Sequence, residues 1–269
     1  MRKVITSVQN QLVKDTCELK LKKHRGDREE FIVEGVRSTE EALRSHWRII
    51  MVFVDPEAED APRFGQLVQE LEAEDIQLYE VPPEIMRRLT DTESPSGILA
   101  VVERRGYDLS DFSEMAEGTL LVLDGVRDPG NVGTIIRTAD AAGVAGLVML
   151  PDCADVFAPK TVRATMGSLF HVPIVVEVGT EELVTWCRQN KWTLWSSTLE
   201  GASSIYEAPL VPKTVLVVGN EASGVSAGII AQSDQKVCIP MLGDAESLNV
   251  AMATGVMLFE GVRRRLASR

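Results

Sequence analysis

Short apolar runs recur along the second half of the chain and alternate with segments of helical spacing. The runs occupy residues 119–123, 146–150, 172–176, 193–197, 214–218 and 236–240. Uninterrupted runs of this length are typical of strands buried on both faces, and their alternation with helices favours a parallel sheet. The sequence from residue 119 onward therefore predicts an α/β fold with a largely parallel sheet and helices on its faces.

The first 105 residues predict a smaller α/β unit. Helical spacing is expected at 8–23, 38–46, 63–75 and 82–89, and strands are expected at 31–35, 49–55, 76–81 and 97–103. The polar segment 104–118 has weak periodicity, which is typical of a connection between domains. We therefore expect a domain over residues 1–105, a linker over 106–118 and a second domain over 119–269.

The composition is that of an ordinary globular chain with an acidic balance. Apolar residues make up 45% and charged residues 25% of the chain, and the formal net charge is −12. These values exclude the disordered and fibrous classes. No stretch approaches the ~18–20 apolar residues of a membrane span, and the first residues lack the apolar segment of a secretory signal. We expect a cytoplasmic protein with no membrane partner.

The residues that could bind a metal are sparse and scattered. Four cysteines, at positions 17, 153, 187 and 238, contain no CxxC pair, and the three histidines form no HExxH pattern. This distribution predicts reduced, mostly buried thiols and no metal site. The chain also lacks the phosphate-binding pattern GxxxxGK[ST] and a GxGxxG after a strand, which argues against a nucleoside triphosphatase and an ordinary dinucleotide-binding site.

Positive charge is concentrated near the two ends of this acidic chain. Residues 1–28 contain eight basic and three acidic residues, a local charge of +5, and the last seven residues include Arg263, Arg264, Arg265 and Arg269. Two interpretations remain open at this point. The basic residues either form solvated helix faces or contact nucleic-acid phosphates.

The segment 123–144 joins a strand to a helix through a polar turn. Its sequence Asp128-Pro129-Gly130-Asn131 is typical of a turn, and we expect Asn131 to cap the helix. Helical spacing places Arg137 on the side opposite the apolar face, where it is either solvated or directed at an anion. The glycine at position 143 suits the end of the helix.

A second polar loop follows the apolar strand at 214–218. It begins with Gly219-Asn220-Glu221, and a glycine at a strand end lets a ligand approach the backbone. Parallel sheets bind ligands at the carboxyl ends of their strands. A glutamate in such a loop is rarely needed for packing, so Glu221 is a candidate functional residue.

The third segment, 237–266, contains a short strand, a glycine-containing loop and a long helix. An apolar stripe runs along the helix from Leu248 to Leu266, which predicts either core packing or packing against a second copy. Ser247 and Asn249 flank the start of the stripe. They are either helix caps or functional residues.

The three segments together resemble the motifs of a known family. In order and spacing, NVGTIIRTADAAG, LVVGNEASGVS and IPMLGDAESLNVAMATGVMLFE are similar to the motifs of the SpoU (TrmH-like) RNA ribose 2′-O-methyltransferases of the SPOUT superfamily. The resemblance covers residues 119–266, and residues 1–105 more loosely resemble the small α/β/α RNA-binding domain of many members. It implies a trefoil knot, a pocket for bent S-adenosylmethionine and a homodimer with each active site near the interface.

The resemblance also implies roles for individual residues. The functional polar positions are Asn131, Arg137, Glu221, Ser247 and Asn249. The cofactor-binding positions are Thr198, Leu199, Gly219, Asn220, Ile239 and Leu248. The basic residues expected to contact RNA are Lys20, Lys22, Lys23 and Arg25. Two departures from the family pattern, Ala222 for a common glycine and Ala251 for a common serine, bear on substrate preference rather than activity.

The expected activity is S-adenosylmethionine-dependent methylation of a ribose 2′-hydroxyl in RNA. Ribosomal RNA of the 23S type is favoured, because a separate N-terminal domain suits a large structured target. Transfer RNA as substrate, and a non-catalytic RNA-binding or ribosome-assembly role, are the alternatives. A guanidinium has a pKa above ~12 and is a poor proton acceptor. We therefore expect Arg137 to bind a phosphate and favour the developing alkoxide, in a reaction that requires no metal.

Overall fold

The computed structural model describes residues 2–58, 62–209 and 211–267. The chain forms two compact units. The first contains Met1–Arg105 and Asp155–His171, and the second contains Gly106–Ala154 and Val172–Arg269. No helix in the described part of the chain is long and apolar enough to cross a membrane.

The described residues before position 106 form a mixed sheet with helices around it. The strands are β1 (Lys3–Val4), β2 (Glu30–Glu34), β3 (Ile49–Val54), β4 (Leu78–Glu80) and β5 (Ile98–Glu103), and the helices are α1 (Gln11–Glu18), α2 (Lys22–Arg28), α3 (Val36–Arg44), α4 (Pro62–Ala73) and α5 (Pro83–Leu89). The strand order is β1-β4-β3-β5-β2. The sequence did not predict β1, and the single helix predicted over 8–23 is wrong, since two helices occupy that segment.

Two of the four basic residues expected to contact RNA are used inside the first unit. Lys20 Nζ donates to the carbonyl oxygens of Arg88 (3.0 Å) and Thr90 (2.8 Å), and so caps the carboxyl end of α5. Arg25 is 3% exposed, and its guanidinium pairs with Asp155 at 2.6 Å. The expectation that Arg25 contacts an RNA phosphate is therefore wrong, because its side chain faces the protein interior.

The remaining elements build a second, all-parallel sheet. From residue 106 onward the strands are β6 (Gly118–Asp124), β7 (Gly146–Met149), β8 (Ile174–Val175), β9 (Thr193–Ser197), β10 (Ser203–Ser204), β11 (Lys213–Gly219) and β12 (Gln235–Cys238), and the helices are α6 (Pro129–Ala142), α7 (Pro159–Thr165), α8 (Thr180–Gln189), α9 (Ala227–Gln232) and α10 (Val250–Ala267). The strand order is β10-β12-β9-β11-β6-β7-β8. Every neighbouring pair is parallel, which confirms the predicted parallel sheet.

The segment expected to be a linker packs into the core of the second unit. Leu109 and Phe112 are buried there on a short 3-10 turn. The ring of Phe112 occupies the space beside Gly146, where a Cβ would lie 2.5 Å from it. The weak periodicity of the segment did not predict this packing, because a single helical turn buries only two side chains.

The segment Asp155–His171, expected in the second domain, groups with the first unit. The ring centroid of Phe157 lies 5.0 Å from that of Phe31, and Trp47 Nε1 donates to the carbonyl oxygen of Phe170 at 3.1 Å. The sequence did not reveal this, because the segment lies between β7 and β8, which both belong to the second sheet.

The arginines near the C-terminus are paired rather than free. Glu260 accepts hydrogen bonds from Arg263 (2.8 Å) and Arg264 (2.6 Å), which lower the pKa of that carboxyl to about 2. Arg265 donates to a threonine hydroxyl of β6 at 3.0 Å. These three residues stabilise the end of α10, and Arg269 lies outside the described residues.

Candidate active site

The junction between β6 and α6 sets the position of the first functional side chain. The carboxylate of Asp128 accepts the backbone N–H of Asn131 at 2.8 Å, and Pro129 occupies the first helical position. Asp128 is therefore the helix cap, and the expectation that Asn131 caps α6 is wrong. Because Asn131 lies inside the first turn, its amide is available for other partners. The helix ends at Gly143 (φ 64°), as predicted.

Three of the predicted functional side chains form one hydrogen-bonded chain. Asn131 Nδ2 donates to Glu221 Oε1 at 2.8 Å, and Asn249 Nδ2 donates to Asn131 Oδ1 at 3.1 Å. The chain joins residues that are 90 and 118 positions apart in sequence. The structure thus brings together one residue from each of the three motif-like segments.

The hydrogen-bond partners fix the orientation of both amides. Asn249 Oδ1 accepts the backbone N–H of Ala251 at 2.9 Å, which caps α10 and leaves Nδ2 to donate. An ionised carboxylate only accepts, so the amide nitrogen of Asn131 must face Glu221. Every bond in the chain therefore points toward Glu221. Asn249 is both a helix cap and a member of the cluster, so the two interpretations of this residue are compatible.

Arg137 and Ser247 lie outside this hydrogen-bonded chain. Arg137 is exposed on α6, and no hydrogen bond or ion pair joins it to another described residue. Ser247 is exposed in the loop before α10. The guanidinium of Arg137 is therefore available to an anion from outside the chain.

The loop after β11 folds back on itself and requires a glycine at its first position. Asn220 and Gly224 exchange backbone hydrogen bonds of 3.0 and 2.9 Å. A Cβ on Gly219 would lie 2.1 Å from the carbonyl carbon of Gly224. The side chain of Asn220 accepts backbone N–H groups from within the loop. Both residues build the loop, in addition to any contact that they make with a cofactor.

A cavity of about 650 Å³ opens at the carboxyl ends of β9, β11 and β12. All six residues predicted to bind the cofactor line it: Thr198, Leu199, Gly219, Asn220, Ile239 and Leu248. Ser247, Glu221 and Asn249 line it as well, so the polar cluster lies at the cavity wall. The sequence analysis missed Glu200 and Glu246, which also line the cavity. Each is adjacent in sequence to a predicted residue, Leu199 or Ser247, and this adjacency is the signal that could have identified them.

The cavity fits S-adenosylmethionine in size and chemistry. Small-molecule sites commonly measure ~300–1,000 Å³ and combine apolar walls with a few polar groups. Leu199, Ile239 and Leu248 are apolar lining residues against which an adenine and a thioether chain would pack. Carboxylates at Glu200 and Glu246 would offer acceptors to ribose hydroxyls and a counter-charge to a sulfonium.

The described residues contain no cluster of metal-ligating side chains, and two of the four cysteines, Cys153 and Cys187, have thiol pKa values well above the usual range. No three His, Cys, Asp or Glu side chains converge there on a possible ion site. Burial raises the pKa of the Cys153 thiol to about 11 and that of Cys187 to about 12. Both are therefore protonated at neutral pH and are poor nucleophiles.

The fold and the cavity define an α/β protein that binds a nucleoside-like cofactor at the carboxyl ends of a parallel sheet. Residues 118–259 match the SpoU rRNA Methylase family, and residues 10–100 match the MRM3-like substrate binding domain. The chain belongs to the SpoU rRNA Methylase family, as the three motifs predicted.

Known relatives share nearly the whole chain. The 23S rRNA (guanosine(2553)-2′-O)-methyltransferase RlmP of Bacillus subtilis (strain 168) is 35% identical over 96% of this chain and 98% of its own. The 23S rRNA (uridine(2479)-2′-O)-methyltransferase of Streptomyces viridochromogenes is 32% identical over 89% of this chain and 85% of its own. The AdoMet-bound rRNA methyltransferase of Sinorhizobium meliloti superposes with a TM-score of 0.88 at 35% identity, covering 97% of this chain and 98% of that one.

We predict that replacing Gly219 by Ala disrupts the loop itself. The new Cβ would collide with backbone, which cannot move aside without opening the loop. Calorimetric titration should show S-adenosylmethionine affinity at least tenfold lower, and the melting temperature should fall. The matched control is Gly243→Ala, because a Cβ there meets nothing within 4 Å. Equal affinities for the two variants would contradict this reading of the loop.

Proposed function

We propose that this protein methylates a ribose 2′-hydroxyl of ribosomal RNA with S-adenosylmethionine as the methyl donor. The observation that carries the proposal is the Asn249–Asn131–Glu221 chain at the wall of a cofactor-sized cavity. The 23S rRNA activities in the names of the relatives support ribosomal RNA as the substrate. A cytoplasmic location is part of this proposal.

The members of the Asn249–Asn131–Glu221 chain have different roles in the reaction. The chemistry supplied by bound S-adenosylmethionine is a methyl group carried on a sulfonium. Glu221 Oε1 is held by Asn131, which leaves Oε2 to accept a hydrogen bond from the 2′-hydroxyl and to take its proton as the methyl is transferred. Asn249 fixes Asn131, so the carboxylate is oriented before substrate arrives.

Arg137 and Ser247 act on the substrate from outside the hydrogen-bonded chain. The unpaired guanidinium of Arg137 binds the phosphate next to the reacting ribose and stabilises negative charge that develops on its oxygen. Ser247 donates its hydroxyl hydrogen to the ribose at the cavity wall. Neither residue needs to accept a proton for this role.

We predict that Arg137→Ala lowers methyl transfer by about 10²–10³-fold, the usual loss when one donor to a developing oxyanion is removed. The affinity for S-adenosylmethionine should change less than twofold, because Arg137 does not line the cavity. The assay is transfer of labelled methyl to ribosomal RNA, with transfer RNA in parallel. Arg188→Ala, an exposed change on α8, is the control.

Three results would contradict the proposal. Wild-type turnover by Arg137→Ala would remove the role assigned to the guanidinium. Failure of the wild-type chain to bind S-adenosylmethionine would favour a non-catalytic RNA-binding or ribosome-assembly protein, and labelling of transfer RNA alone would favour the other alternative substrate.

The exposed lysines of the first unit supply its RNA contacts in this proposal. Lys22 and Lys23 are exposed at the start of α2, and Lys20 and Arg25 bind groups of the first unit. The match of residues 10–100 to a substrate-binding domain supports RNA contact by this unit. We assign the RNA-binding role to Lys22 and Lys23 alone.

We predict that the double change Lys22→Ala, Lys23→Ala lowers RNA affinity and flattens its salt dependence. Each lost phosphate contact reduces the slope of log affinity against log salt by ~0.7–0.9. Arg25→Ala is the contrasting variant, and it should instead destabilise the first unit by about 3–5 kcal/mol, because it leaves Asp155 without its buried partner. Salt titrations and urea unfolding separate the two effects. Identical slopes for wild type and the double variant would place the RNA contacts elsewhere.

A second copy of the chain covers the exposed face of α10 in this proposal. Met252, Phe259 and Leu266 recur every seven residues on one face, and they are 64, 47 and 64% exposed. The sheet-facing side of α10 is formed by other residues, including Met257 and Leu258. Helical spacing predicted the stripe, and its exposure supports a homodimer. We also propose the trefoil knot that the family resemblance implies, and β12 lies between β9 and β10, which both precede it in the chain.

We predict that Phe259→Glu converts the dimer to a 29.5-kDa monomer, because the change buries an unpaired charge at the interface. Light scattering at micromolar concentration measures the mass. The control is Leu21→Glu, which places the same charge at a leucine that is 60% exposed in the first unit. A wild-type chain that is monomeric would contradict the dimer.

A further inference from the structure

A second, smaller cavity borders the cofactor cavity. It measures about 200 Å³ and lies at the carboxyl ends of β6 and β11 and in the turn after β7. Asn220, Ser223 and Gly224 line both this cavity and the cofactor cavity. One loop is therefore the wall between them, and Asp124 and Arg127 of the small cavity immediately precede the turn that positions Asn131.

The inner walls of the small cavity are held by hydrogen bonds. Asn220 Nδ2 donates to the carbonyl oxygen of Gly125 at 2.8 Å, which ties the β11 loop to the end of β6. The backbone N–H of Ser226 donates to Asp124 Oδ2 at 2.7 Å. These bonds join the β6 and β11 loops from both sides. The cavity is therefore formed before a ligand arrives.

The mouth of the cavity carries two side chains without internal partners. Arg127 and Asp152 are exposed, and neither makes a hydrogen bond or ion pair with another described residue. Asp152 also has a left-handed backbone (φ 66°), which aspartate adopts more readily than most residues other than glycine. Its carboxylate and the guanidinium of Arg127 are therefore available to a ligand.

The polar groups of this lining match a nucleobase better than a phosphate. The carboxylates of Asp124 and Asp152 repel anions and only accept hydrogen bonds. Guanine presents two adjacent donors on its Watson–Crick edge, the N1–H and the 2-amino group, which match the two oxygens of one carboxylate. The planar guanidinium of Arg127 can stack on the base, as arginine does in complexes with single-stranded RNA. The volume accommodates one base.

We propose that this cavity binds a guanine of the RNA substrate, with Asp152 accepting from its N1–H and 2-amino group and Arg127 lying against its plane. The guanine belongs to the methylated nucleotide or to its immediate neighbour, since the cavity adjoins the cluster that holds the ribose. The inference rests on the proposed function and adds base specificity to it. Asp152 is a specificity-determining residue in this arrangement and takes no part in methyl transfer.

Nucleotide binding to the full-length protein tests the proposal directly. Ligand-observed NMR would compare 5′-GMP, 5′-IMP, which lacks the 2-amino group, and 5′-UMP. Wild type should bind GMP about tenfold more tightly than IMP or UMP, as expected for a lost bidentate base contact. Asp152→Asn should reduce this preference to less than twofold, and the control Glu114→Gln, an exposed change of equal charge, should leave it unchanged.

Methyl transfer provides the second measurement. Once the methylated position is mapped, transcripts carrying inosine in place of guanine at that position or beside it should lower wild-type kcat/KM about tenfold. The same substitution should have little effect on Asp152→Asn, and its location tells which nucleotide is bound. S-adenosylmethionine affinity should be the same in both proteins.

Each contrary result has a distinct meaning. No GMP preference in wild type, a preference that persists in Asp152→Asn, or Mg²⁺-dependent binding of GMP and UMP alike would overturn the guanine site. Wild type that methylates RNA but shows no effect of inosine would overturn this inference alone. Selective GMP binding without methylation of ribosomal RNA would instead overturn the proposed function.

Discussion

The active site depends on the register between two central parallel strands. Strands β6 and β11 pair along seven residues, and the pairing ends with Asp124 opposite Gly219. Because the strands are parallel and end in register, the segments that follow β6 and β11 leave the sheet side by side at the same edge. The helix that carries Asn131 and the loop that carries Glu221 therefore start side by side. A shift of one residue would reverse the faces of all the side chains in the shifted strand.

This register is reinforced by hydrogen bonds between the loops that leave the two strands. Asp124 accepts the backbone N–H of Ser226, and Asn220 donates to the carbonyl oxygen of Gly125. Each bond joins a residue of one loop to a residue of the other. The loops are thus held by groups that take no part in the chemistry, which leaves Glu221 exposed and yet oriented. Pre-orientation of this kind is what a weak nucleophile such as a ribose hydroxyl requires.

The fold could be predicted from the sequence to the extent that local patterns determine it. The apolar runs at 119–123 and 214–218 could only be buried strands, and both are strands. The capping of α6 was predicted one turn too late, because Asp128 and Asn131 are both good caps and only backbone geometry selects between them. Sequence gave no sign that Arg25 is buried, since its partner, Asp155, is 130 residues away.

The candidate site could likewise be predicted only in part. The residues of the cofactor cavity were predicted mainly by the family resemblance, and Gly219 was also a candidate because it lies at a strand end. The small cavity was not predicted, because its lining comes from three loops whose approach depends on the register and on hydrogen bonds such as that of Asn220. Periodicity likewise showed that α10 has an apolar stripe, but only the structure shows that Met252 and Phe259 are left exposed.

The distribution of charge indicates how an acidic protein can select an RNA. Several basic residues pair internally, as Arg25, Arg28 and Arg264 do, which reduces the positive charge that can attract phosphates at a distance. The net charge of −12 opposes RNA beyond contact range, although salt screens it over ~8–10 Å. Phosphate attraction therefore acts at contact distance rather than over a long range. Selectivity for one RNA then depends on groups that act at contact distance, such as Arg127, Arg137 and Asp152, none of which makes a hydrogen bond or ion pair with another described residue.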